Sequence, residues 1–519
     1  MKPRLFWFLL FLAAFAGLVL RVEVGRKTFI SFDEWQHVFM ASSARWADLS
    51  FELRTNAHPP LFFLLLRGIV RLGYVGLYRS ISIASGVGSI IVVGLIARRI
   101  LDSPIMQLLC AAAFALSTDA IAVSVEIRSY QLAVLLVLLA FLAWLAMFSE
   151  SDGRVSPGSC IAFAICSSLA VFSHYSAVFF LGACVIASLL FRVRLRRSIA
   201  LAFPCAVFAV EYVVHAGAQP MQGYLFDFYR SGTPNESLVS FVTRNSRNFF
   251  NLFSPLEIQG DAIFLLIALL VGTVAIRGFL RRWRSLPGAA ILLAIVIVLE
   301  LLTASLADKY PFGGMLRHEY IAGPFLLIAS FVVLDALISL APQPLQYAIP
   351  ALLLTASVAN AVIGVPKLIF FPGVVLMKDE FNAWRSAFPD ARAVYVDHWG
   401  VIGHFIHTSD QPRQFVRRIP DDAVIDEYRV PGGIDIFYDK TRIVLDLSDP
   451  SVYRSFAACL RTSGVKELTL FFYSPRDVPI DQPPGKLEST VAQKAAEQGL
   501  TTTRIVVGGT FLAAGFKLN

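Results

Sequence analysis

Long apolar stretches separated by short polar loops recur along the first 365 residues. Most approach the roughly 20 residues that a helix needs to cross a hydrocarbon core of about 30 Å. Lys2 and Arg4 precede the first stretch, which lacks a small-residue cleavage site, so a retained helix is favoured over a signal peptide. The pattern predicts eleven membrane-spanning helices, at 5–20, 80–97, 104–123, 130–148, 158–174, 176–191, 199–215, 261–276, 287–305, 320–340 and 344–364.

The short apolar segment from His58 to Leu72 decides the topology. If it crossed the membrane, every later loop would change sides and the arginine-rich loops would face outward. If it lies in the membrane plane, those loops face the cytoplasm, as the positive-inside rule expects. We adopt the in-plane interpretation, with a cytoplasmic N-terminus. The arginines that decide it are Arg98, Arg99, Arg192, Arg194, Arg196, Arg197, Arg277, Arg281, Arg282 and Arg284.

Beyond Pro366 the pattern becomes that of a soluble domain. Short β-like runs at 393–397, 413–418, 434–438, 442–447, 467–473 and 503–518 surround a helical pattern at 450–463, which suggests a small α/β domain. The predicted fold is an α-helical polytopic membrane protein with in-plane helices on its outer side and a small C-terminal α/β extracytoplasmic domain. We expect a membrane domain over 1–365 and a soluble outer domain over 366–519 that serves as a cap or binds a partner molecule.

Composition supports the membrane assignment. Hydrophobic residues make up 56% of the 519 residues and charged residues 16%, which is more apolar surface than one soluble core can bury. The net charge of +8 comes with arginines in short loops, where topology explains them better than nucleic-acid binding does. The sequence has no CxxC or HxxxH metal motif, and assistance by a divalent cation stays open.

Two adjacent acids follow the first predicted span, in Ser31-Phe32-Asp33-Glu34. Ser31 and Glu34 fit a capping box, which gives Glu34 a structural explanation. Asp33 has no such role, and the helix dipole would keep it ionised, as a general base must be. Asp33 is therefore the predicted base, with Glu34 and Glu126 as the other candidate catalytic acids.

Further candidates sit at the outer ends of helices. His58 precedes Pro59 and Pro60 and is either a polar helix cap or a donor facing a lipid phosphate. Arg128, in the short loop with Glu126 and Tyr130, is the first choice for holding a phosphate, because a guanidinium binds two phosphate oxygens at once. A pair between Glu126 and Arg128, or snorkelling of the arginine, is the alternative.

The loop from Tyr310 to Tyr320 delivers Arg317 and His318 to the mouth of a span, and Arg317 could be a second cation aimed at the same anion. His174 is better explained as a satisfied interfacial histidine. Three acids, Glu211, Glu300 and Asp335, lie in or near apolar spans, where ionisable groups are expensive. Glu300 is a second-tier candidate, since a protonated buried acid explains it equally well.

The outer location of these groups restricts the reaction. Free nucleotide sugars are absent outside the cell membrane, so a sugar transferase there would use a lipid-linked donor. A phosphate leaving group needs no protonation, so Asp33 as base, with Arg128 and Arg317 stabilising the phosphate, could suffice for inverting transfer. The lipid tail would lie in a groove between spans. A transporter of a lipid or small anionic solute, or a membrane scaffold, are the rival interpretations.

Four motifs resemble the GT-C superfamily of membrane glycosyltransferases, nearest to the bacterial protein O-mannosyltransferase-like and lipid A aminoarabinose transferase-like enzymes. They are Phe32-Asp33-Glu34, His58-Pro59-Pro60-Leu61, Glu126-x-Arg128-Ser129-Tyr130 and Pro311-Phe312-Gly313-Gly314-x-x-Arg317-His318.

The resemblance covers residues 1 to 365. It implies a polyprenyl-phosphate sugar donor, catalysis on the periplasmic face of a bacterial inner membrane, and Asp33 at the catalytic acidic position. The acceptor would be a lipid, a glycan or a protein. Many relatives have lysine where this chain has His58.

Overall fold

The structure is a computed structural model that describes residues 2–28, 30–55, 58–149, 156–190, 195–218, 223–253, 285–369, 375–396, 415–418, 425–429, 434–439, 447–473, 485–508 and 511–519. The chain divides into two compact units. The helical unit comprises Met1–Lys27, Thr55–Phe62 and Arg79–Ile369. The sheet unit comprises Thr28–Arg54, Phe63–Tyr78 and Phe370–Asn519.

The helices, in chain order, are α1 Pro3–Lys27, α2 Phe32–Ala41, α3 Trp46–Thr55, α4 Leu61–Val70, α5 Ser80–Ile100, α6 Pro104–Leu116, α7 Thr118–Val125, α8 Tyr130–Ser149, α9 Pro157–Ser173, α10 Ala177–Leu190, α11 Leu195–Val214, α12 Leu238–Leu252, α13 Leu286–Leu306, α14 Leu316–Glu319, α15 Gly323–Ser339, α16 Gln343–Ile369, α17 Val375–Ala387, α18 Pro450–Ser463 and α19 Lys486–Ala496. The strands are β1 Ala393–Val396, β2 Val416–Arg417, β3 Ile425–Arg429, β4 Asp435–Asp439, β5 Leu468–Tyr473, β6 Leu500–Val507 and β7 Phe511–Leu518.

The helical unit belongs in a bilayer. Among the described residues, five helices are long and apolar enough to cross a membrane: Pro3–Lys27, Val75–Ile100, Tyr130–Phe148, Leu286–Leu306 and Gln343–Ile369. Their outward faces carry large apolar side chains, such as Phe11 on α1 at 65% exposure and Val362 on α16 at 67%. Exposing so much apolar surface to water is unfavourable, whereas contact with lipid tails is not. The predicted multi-pass membrane fold is confirmed.

The predicted span at 104–123 differs from a single straight helix. The structure breaks it into α6 and α7, which meet at an angle of 51°. Ser117 ends α6 and its side chain caps the start of α7, accepting a hydrogen bond from the Ala120 amide at 3.3 Å. The fully buried Arg21 donates to the carbonyl of Ala115 at 3.1 Å. Both sides of the break therefore have backbone groups satisfied inside the protein, as a bilayer requires.

The other predicted spans fare as follows. Helices cover the spans at 5–20, 80–97, 130–148, 287–305 and 344–364, and shorter apolar helices occupy those at 158–174, 176–191, 199–215 and 320–340. The predicted span at 261–276 lies outside the described residues, so the count of eleven stays a prediction. The segment at 58–72 forms the ten-residue helix α4, which is too short to cross a membrane.

The sheet unit is built on seven strands in the order β2-β3-β4-β1-β5-β7-β6. β1 is parallel to both β4 and β5, and the other neighbouring strands are antiparallel. All four β1 residues are buried, which indicates that both faces of the sheet are covered. The predicted small α/β domain is confirmed.

Alternation along the strands sorts side chains to the two faces. Tyr395 and Leu470 share one face with Phe456 of α18 and Val491 of α19, in one hydrophobic cluster. Phe471 points to the other face and meets Trp384 of α17, with ring centroids 6.5 Å apart.

The predicted strands at 393–397, 413–418, 434–438 and 467–473 and the helix at 450–463 match β1, β2, β4, β5 and α18 in place. The run at 503–518 is two strands, β6 and β7, with the Gly508 amide donating to the Phe511 carbonyl at 2.9 Å. β3 was not predicted, and residues 442–446 lie outside the described residues. The domain boundary at 365–366 stays a prediction.

A close approach of α16 to α7 depends on glycine. A Cβ at Gly364 would overlap the Thr118 hydroxyl and come within 2.8 Å of its methyl group. Small residues allow such approaches between membrane helices. We expect Gly364→Ala to destabilise the protein by about 1–3 kcal/mol, the usual cost of overpacking.

The measurement is the thermal unfolding midpoint of the purified protein in detergent. Gly68→Ala is the matched control, because a Cβ there meets nothing within 4 Å and alanine favours a helix more than glycine does. Equal midpoints for the two variants would contradict the proposed packing constraint.

Candidate active site

A cluster of rings surrounds Tyr130 at the start of α8. His174 lies 4.6 Å from the Tyr130 ring centroid, His58 lies 5.9 Å from it, and His318 lies 6.4 Å from it. His58 and His174 are themselves 5.3 Å apart. These four residues come from four separate parts of the sequence, and the helical unit brings them together.

Charged groups join this cluster. A guanidinium nitrogen of Arg128 lies 3.4 Å from the Tyr130 hydroxyl, and its central carbon lies 5.9 Å from the ring centroid. Arg317 and Glu126 also lie close enough to Tyr130 to interact electrostatically with its phenol. Six predicted site residues therefore converge in the helical unit: His58, Glu126, Arg128, Tyr130, Arg317 and His318.

Packing fixes the Arg128 loop. Ser82 of α5 donates to the Arg128 carbonyl at 3.2 Å, and the Arg128 amide donates to the Glu126 carbonyl at 2.9 Å. Arg128 is only 6% exposed. A cation this deeply buried is costly unless an anion compensates it.

A close approach to α12 and two hydrogen bonds fix the loop that carries Arg317 and His318. Gly313 has φ +77°, and a Cβ there would overlap the carbonyl of Asn245 in α12, so the position requires glycine. The Gly314 amide donates to a carboxyl oxygen of the fully buried Glu319 at 2.8 Å. The Tyr310 hydroxyl donates to the His318 carbonyl at 2.7 Å.

Glu319 contributes little negative charge to this region. Burial raises the pKa of Glu319 to about 8, although the Gly314 and Gly313 amides partly offset the shift. At neutral pH the carboxyl group is therefore mostly protonated. Among these residues, Arg128 and Arg317 carry a positive charge at every relevant pH. Guanidinium groups of this kind bind anions such as a phosphate.

His174 joins the cluster although sequence reasoning explained it as a satisfied interfacial histidine. The Ser176 amide donates to His174 Nδ1 at 3.1 Å, so the neutral ring carries its proton on Nε2. The histidine is thus satisfied on one side and presents a donor on the other. Its position between two paired spans, at the same helix ends as Arg128, was the available signal.

The first outer acid pair lies in the sheet unit, at the start of α2. The capping box predicted for Ser31 and Glu34 is confirmed, with the Ser31 amide donating to Glu34 Oε2 at 2.7 Å and the Glu34 amide to Ser31 Oγ at 3.3 Å. Glu34 is 4% exposed. Asp33 is half-buried in the same first turn, and His37 Nδ1 lies 2.8 Å from its backbone carbonyl.

The acids inside the apolar helices have local explanations. Asp335 accepts hydrogen bonds from the Asp102 and Ser103 amides at 2.7 and 3.3 Å, which satisfies the start of α6. The Tyr175 hydroxyl lies 3.5 Å from Glu211. The Glu300 carboxyl group packs against Gly182 of α10, where a Cβ would overlap it.

A cavity of about 720 Å³ opens among α6, α7, α12, α15 and α16 of the helical unit. Its lining is mostly apolar, with Leu326, Leu353 and Phe331 among its walls. A few polar groups also line it, including Asp119, Asn360 and Lys367. Pockets of this size and character suit an apolar ligand with a polar end.

The arrangement can hold an anion beside a buried, partly aromatic surface. Within the described part of the chain, no group of three or more histidine, cysteine, aspartate or glutamate side chains is placed to hold a metal ion. Arg128 and its neighbours can bind such an anion by hydrogen bonds and charge.

Comparison with known proteins adds the fold. No protein-family model matches the chain, and no curated protein matches it by sequence. Two crystal structures of ArnT from Cupriavidus metallidurans are similar to it. The one bound to undecaprenyl phosphate has a TM-score of 0.52 and 13% identity, and the one in the apo state has a TM-score of 0.51 and 14% identity. Each match covers 98% of this chain and 97% of the other.

The oligosaccharyltransferase of Archaeoglobus fulgidus, in complex with Zn and sulfate, matches with a TM-score of 0.51 and 14% identity over 89% of this chain and 67% of that one. All these proteins are GT-C enzymes. The resemblance predicted from the four motifs is confirmed at the level of the fold, which this chain shares with these structures.

Proposed function

We propose that the protein transfers a sugar from a polyprenyl-phosphate donor to an acceptor hydroxyl, with inversion at the anomeric carbon. The observation that carries this proposal is the pair of arginines beside Tyr130, the buried Arg128 and the half-buried Arg317, which suits a phosphate at the end of a lipid. The similarity to ArnT, a protein crystallised with undecaprenyl phosphate, supports the choice of a lipid-linked anion over a soluble one.

In the proposed reaction the acceptor oxygen attacks the anomeric carbon as the bond to the phosphate oxygen breaks. The leaving polyprenyl phosphate keeps the electron pair, and Asp33 takes the acceptor proton. Arg128 and Arg317 stabilise the charge that grows on the phosphate, with His58, His318 and the Tyr130 hydroxyl as further donors. A phosphate leaves without protonation, so the reaction needs no general acid.

Asp33 suits the base better than its neighbour does. Glu34 accepts a hydrogen bond from the Ser31 amide in the capping box. Taking the proton of the acceptor would weaken that hydrogen bond. Asp33 sits in the first turn of the same helix without a capping role. The partial positive charge of the helix start keeps such a carboxylate ionised. Glu126 would be the base only if Asp33 proved dispensable.

The apolar cavity is the proposed site for part of the isoprenoid chain. α16 forms one wall, and its exposed apolar side chains favour lipid around it. A carrier lipid could then enter sideways from the bilayer, without its chain crossing water. Aliphatic chains gain about 0.8 kcal/mol for each buried CH₂ group, although a chain that arrives from lipid gains chiefly by fit.

The sidedness follows from the arginine distribution. With the arginine-rich loops in the cytoplasm, the ends of the helices that carry Arg128 and Arg317 face the periplasm of a bacterial inner membrane. There the acceptor would be a lipid, a glycan or a protein. A transporter is less well supported, because the broken helix that could mark an ion path is satisfied by Ser117 and Arg21.

Replacing the base should abolish turnover. We expect Asp33→Asn to lower kcat by roughly 10²- to 10⁴-fold, the usual contribution of a general base, with unchanged donor affinity. The measurement is transfer by purified protein in lipid, from a panel of polyprenyl-phosphate sugars to membrane extract.

Glu34→Gln is the matched control, because glutamine also serves in a capping box and most activity should remain. If Glu34→Gln were the inactive variant and Asp33→Asn the active one, the assignment of the base would be reversed.

Removing the phosphate-binding guanidinium should weaken donor binding. We expect Arg128→Ala to raise the donor Kd by about 10- to 150-fold, which corresponds to a lost hydrogen bond to a charged group of about 1.5–3 kcal/mol. Binding of a polyprenyl phosphate to the purified protein measures it. Arg244→Ala is the control, since Arg244 pairs with Glu236 at 2.8 Å. An unchanged Kd for Arg128→Ala would refute the phosphate assignment.

Narrowing the cavity should discriminate between chain lengths. Ser357 lines the cavity, and Ser357→Phe should weaken binding of a long-chain polyprenyl phosphate more than that of a short-chain analogue. Val358, the next residue, does not line the cavity and is 45% exposed, since adjacent helical positions face different directions. Equal effects of Ser357→Phe and Val358→Phe on the two lipids would argue against this groove.

A further inference from the structure

The helix that carries Asp33 packs its later residues on the edge of the C-terminal sheet. Phe39 stacks on Phe415 with ring centroids 4.6 Å apart and planes 5° from parallel. Tyr428 of β3 meets both rings edge-on, at 5.0 and 5.2 Å. All three side chains are fully buried. Two turns of helix thus link Asp33 to an aromatic triad that is shared with the sheet.

The backbone after α2 is also joined to this edge. The Ala44 amide donates to the Phe415 carbonyl at 2.8 Å, the Phe415 amide donates to the Ser42 carbonyl at 3.4 Å, and Ser43 and Phe415 form a parallel bridge. Arg67 of α4 donates to the carbonyls of Ser43 and Ala44. Residues 42–44 are therefore hydrogen-bonded to the residue that precedes β2 through a single β-bridge.

Helix α3 is held by charged groups on the same strands. The Arg417 guanidinium lies 3.7 Å from the Phe51 ring centroid, and Arg45 donates to the Arg417 carbonyl at 2.8 Å. Arg417 also forms a buried ion pair with Asp426 at 2.7 Å. Cation–π contacts of a desolvated arginine are worth up to about 2 kcal/mol.

The Tyr428 hydroxyl lies between two carboxyl groups, those of Glu52 and Asp426. It lies 3.2 Å from Glu52 Oε1 and 3.2 Å from Asp426 Oδ2. A phenol has one proton, so it can donate to only one of the two carboxyl groups. Asp426 is held by its buried ion pair with Arg417, so Glu52 is the carboxyl group that we expect to carry a proton.

The surroundings of Glu52 agree with this assignment. Burial raises the pKa of Glu52 to about 8, and the neighbouring charges of Asp426 and Asp48 raise it further, against the opposing effects of Tyr428 and Arg417. Glu52 is fully buried. At neutral pH it is therefore neutral and can donate a hydrogen bond.

We propose that the strand edge formed by Phe415, Arg417 and Tyr428 positions α2, and through it Asp33, so that the C-terminal domain is required for turnover rather than serving only as a cap or an acceptor-binding module. The catalytic consequence rests on the proposed role of Asp33. Phe39, Phe415, Tyr428 and Glu52 are positioning residues in this scheme. A displaced base loses rate steeply, because a misplacement of 1 Å can cost on the order of 100-fold.

The first test uses the full-length protein in lipid and does not depend on catalysis. Phe415→Ala should speed amide hydrogen exchange in residues 32–41, because the stacked ring that holds α2 is gone. Phe456→Ala is the matched control. Phe456 is equally buried and contacts Tyr395 and Phe516 inside the same domain. Unchanged exchange in 32–41 for folded Phe415→Ala overturns the proposal.

The second test separates positioning from folding. At matched folded fractions, Phe415→Ala should lower kcat by about 10- to 100-fold, with a donor Kd within twofold of the wild type. Tyr428→Phe keeps the ring packing and loses the hydroxyl, so its kcat should lie between those of the wild type and Phe415→Ala. Equal losses of kcat in Phe415→Ala and Phe456→Ala would instead indicate general destabilisation and would overturn the proposal.

The pH profile supplies a readout that packing alone would not move. Ionisation of Glu52 near pH 8 would place a third negative charge beside Asp48 and Asp426, with Arg417 as the cation and Tyr428 as the neutral neighbour. Glu52→Gln mimics the protonated form and should keep activity at neutral pH while losing less of it than the wild type above pH 8. Identical pH profiles for the wild type and Glu52→Gln would contradict a role of Glu52 in positioning α2.

Failure of the proposed function would look different. If wild type transferred no sugar, the reaction would be in question, yet faster exchange of residues 32–41 in Phe415→Ala alone would still establish the coupling. If wild type and Asp33→Asn transferred equally while Phe415→Ala did not, the strand edge would position some other group on α2.

Discussion

A bilayer forces every backbone amide and carbonyl within it to find a partner inside the protein, and the chemistry of this chain is arranged around that constraint. Charged and turn-forming residues are expensive in the apolar interior, so they gather where helices end. The break between α6 and α7 lies within an apolar stretch of the described chain. There Ser117 accepts a hydrogen bond from the Ala120 amide on one side, and Arg21 donates to the Ala115 carbonyl on the other.

The same constraint explains what the sequence could predict. Span positions follow from hydropathy, and the capping box at Ser31 and Glu34 follows from spacing that needs only local geometry. Arg128 and Tyr130 stood out because a loop so short must hold its charges at the helix ends. These features are decided within a few residues of one another, so a single sequence carries them.

Other features depend on distant partners. β3 was missed because its inward residues include Asp426, which is buried only because Arg417 pairs with it. The buried and exposed positions of β3 therefore do not alternate between apolar and polar residues in the sequence. The break at Ser117 lies inside an apolar run, where serine is an ordinary residue. The place of His174 beside Tyr130 depends on helix packing across 44 positions of sequence, which no local pattern reveals.

The grouping of Thr28–Arg54 with the C-terminal residues changes how the parts are understood. Sequence composition separates an apolar region from a polar one and suggests a membrane enzyme with an appended domain. Side-chain contacts show that residues from both sequence regions form the interior of the sheet unit, where Phe39 and Glu52 are as buried as Phe415 and Tyr428. An appended module would not need buried ionic groups to hold a loop helix, because apolar contacts stabilise an interface at lower cost.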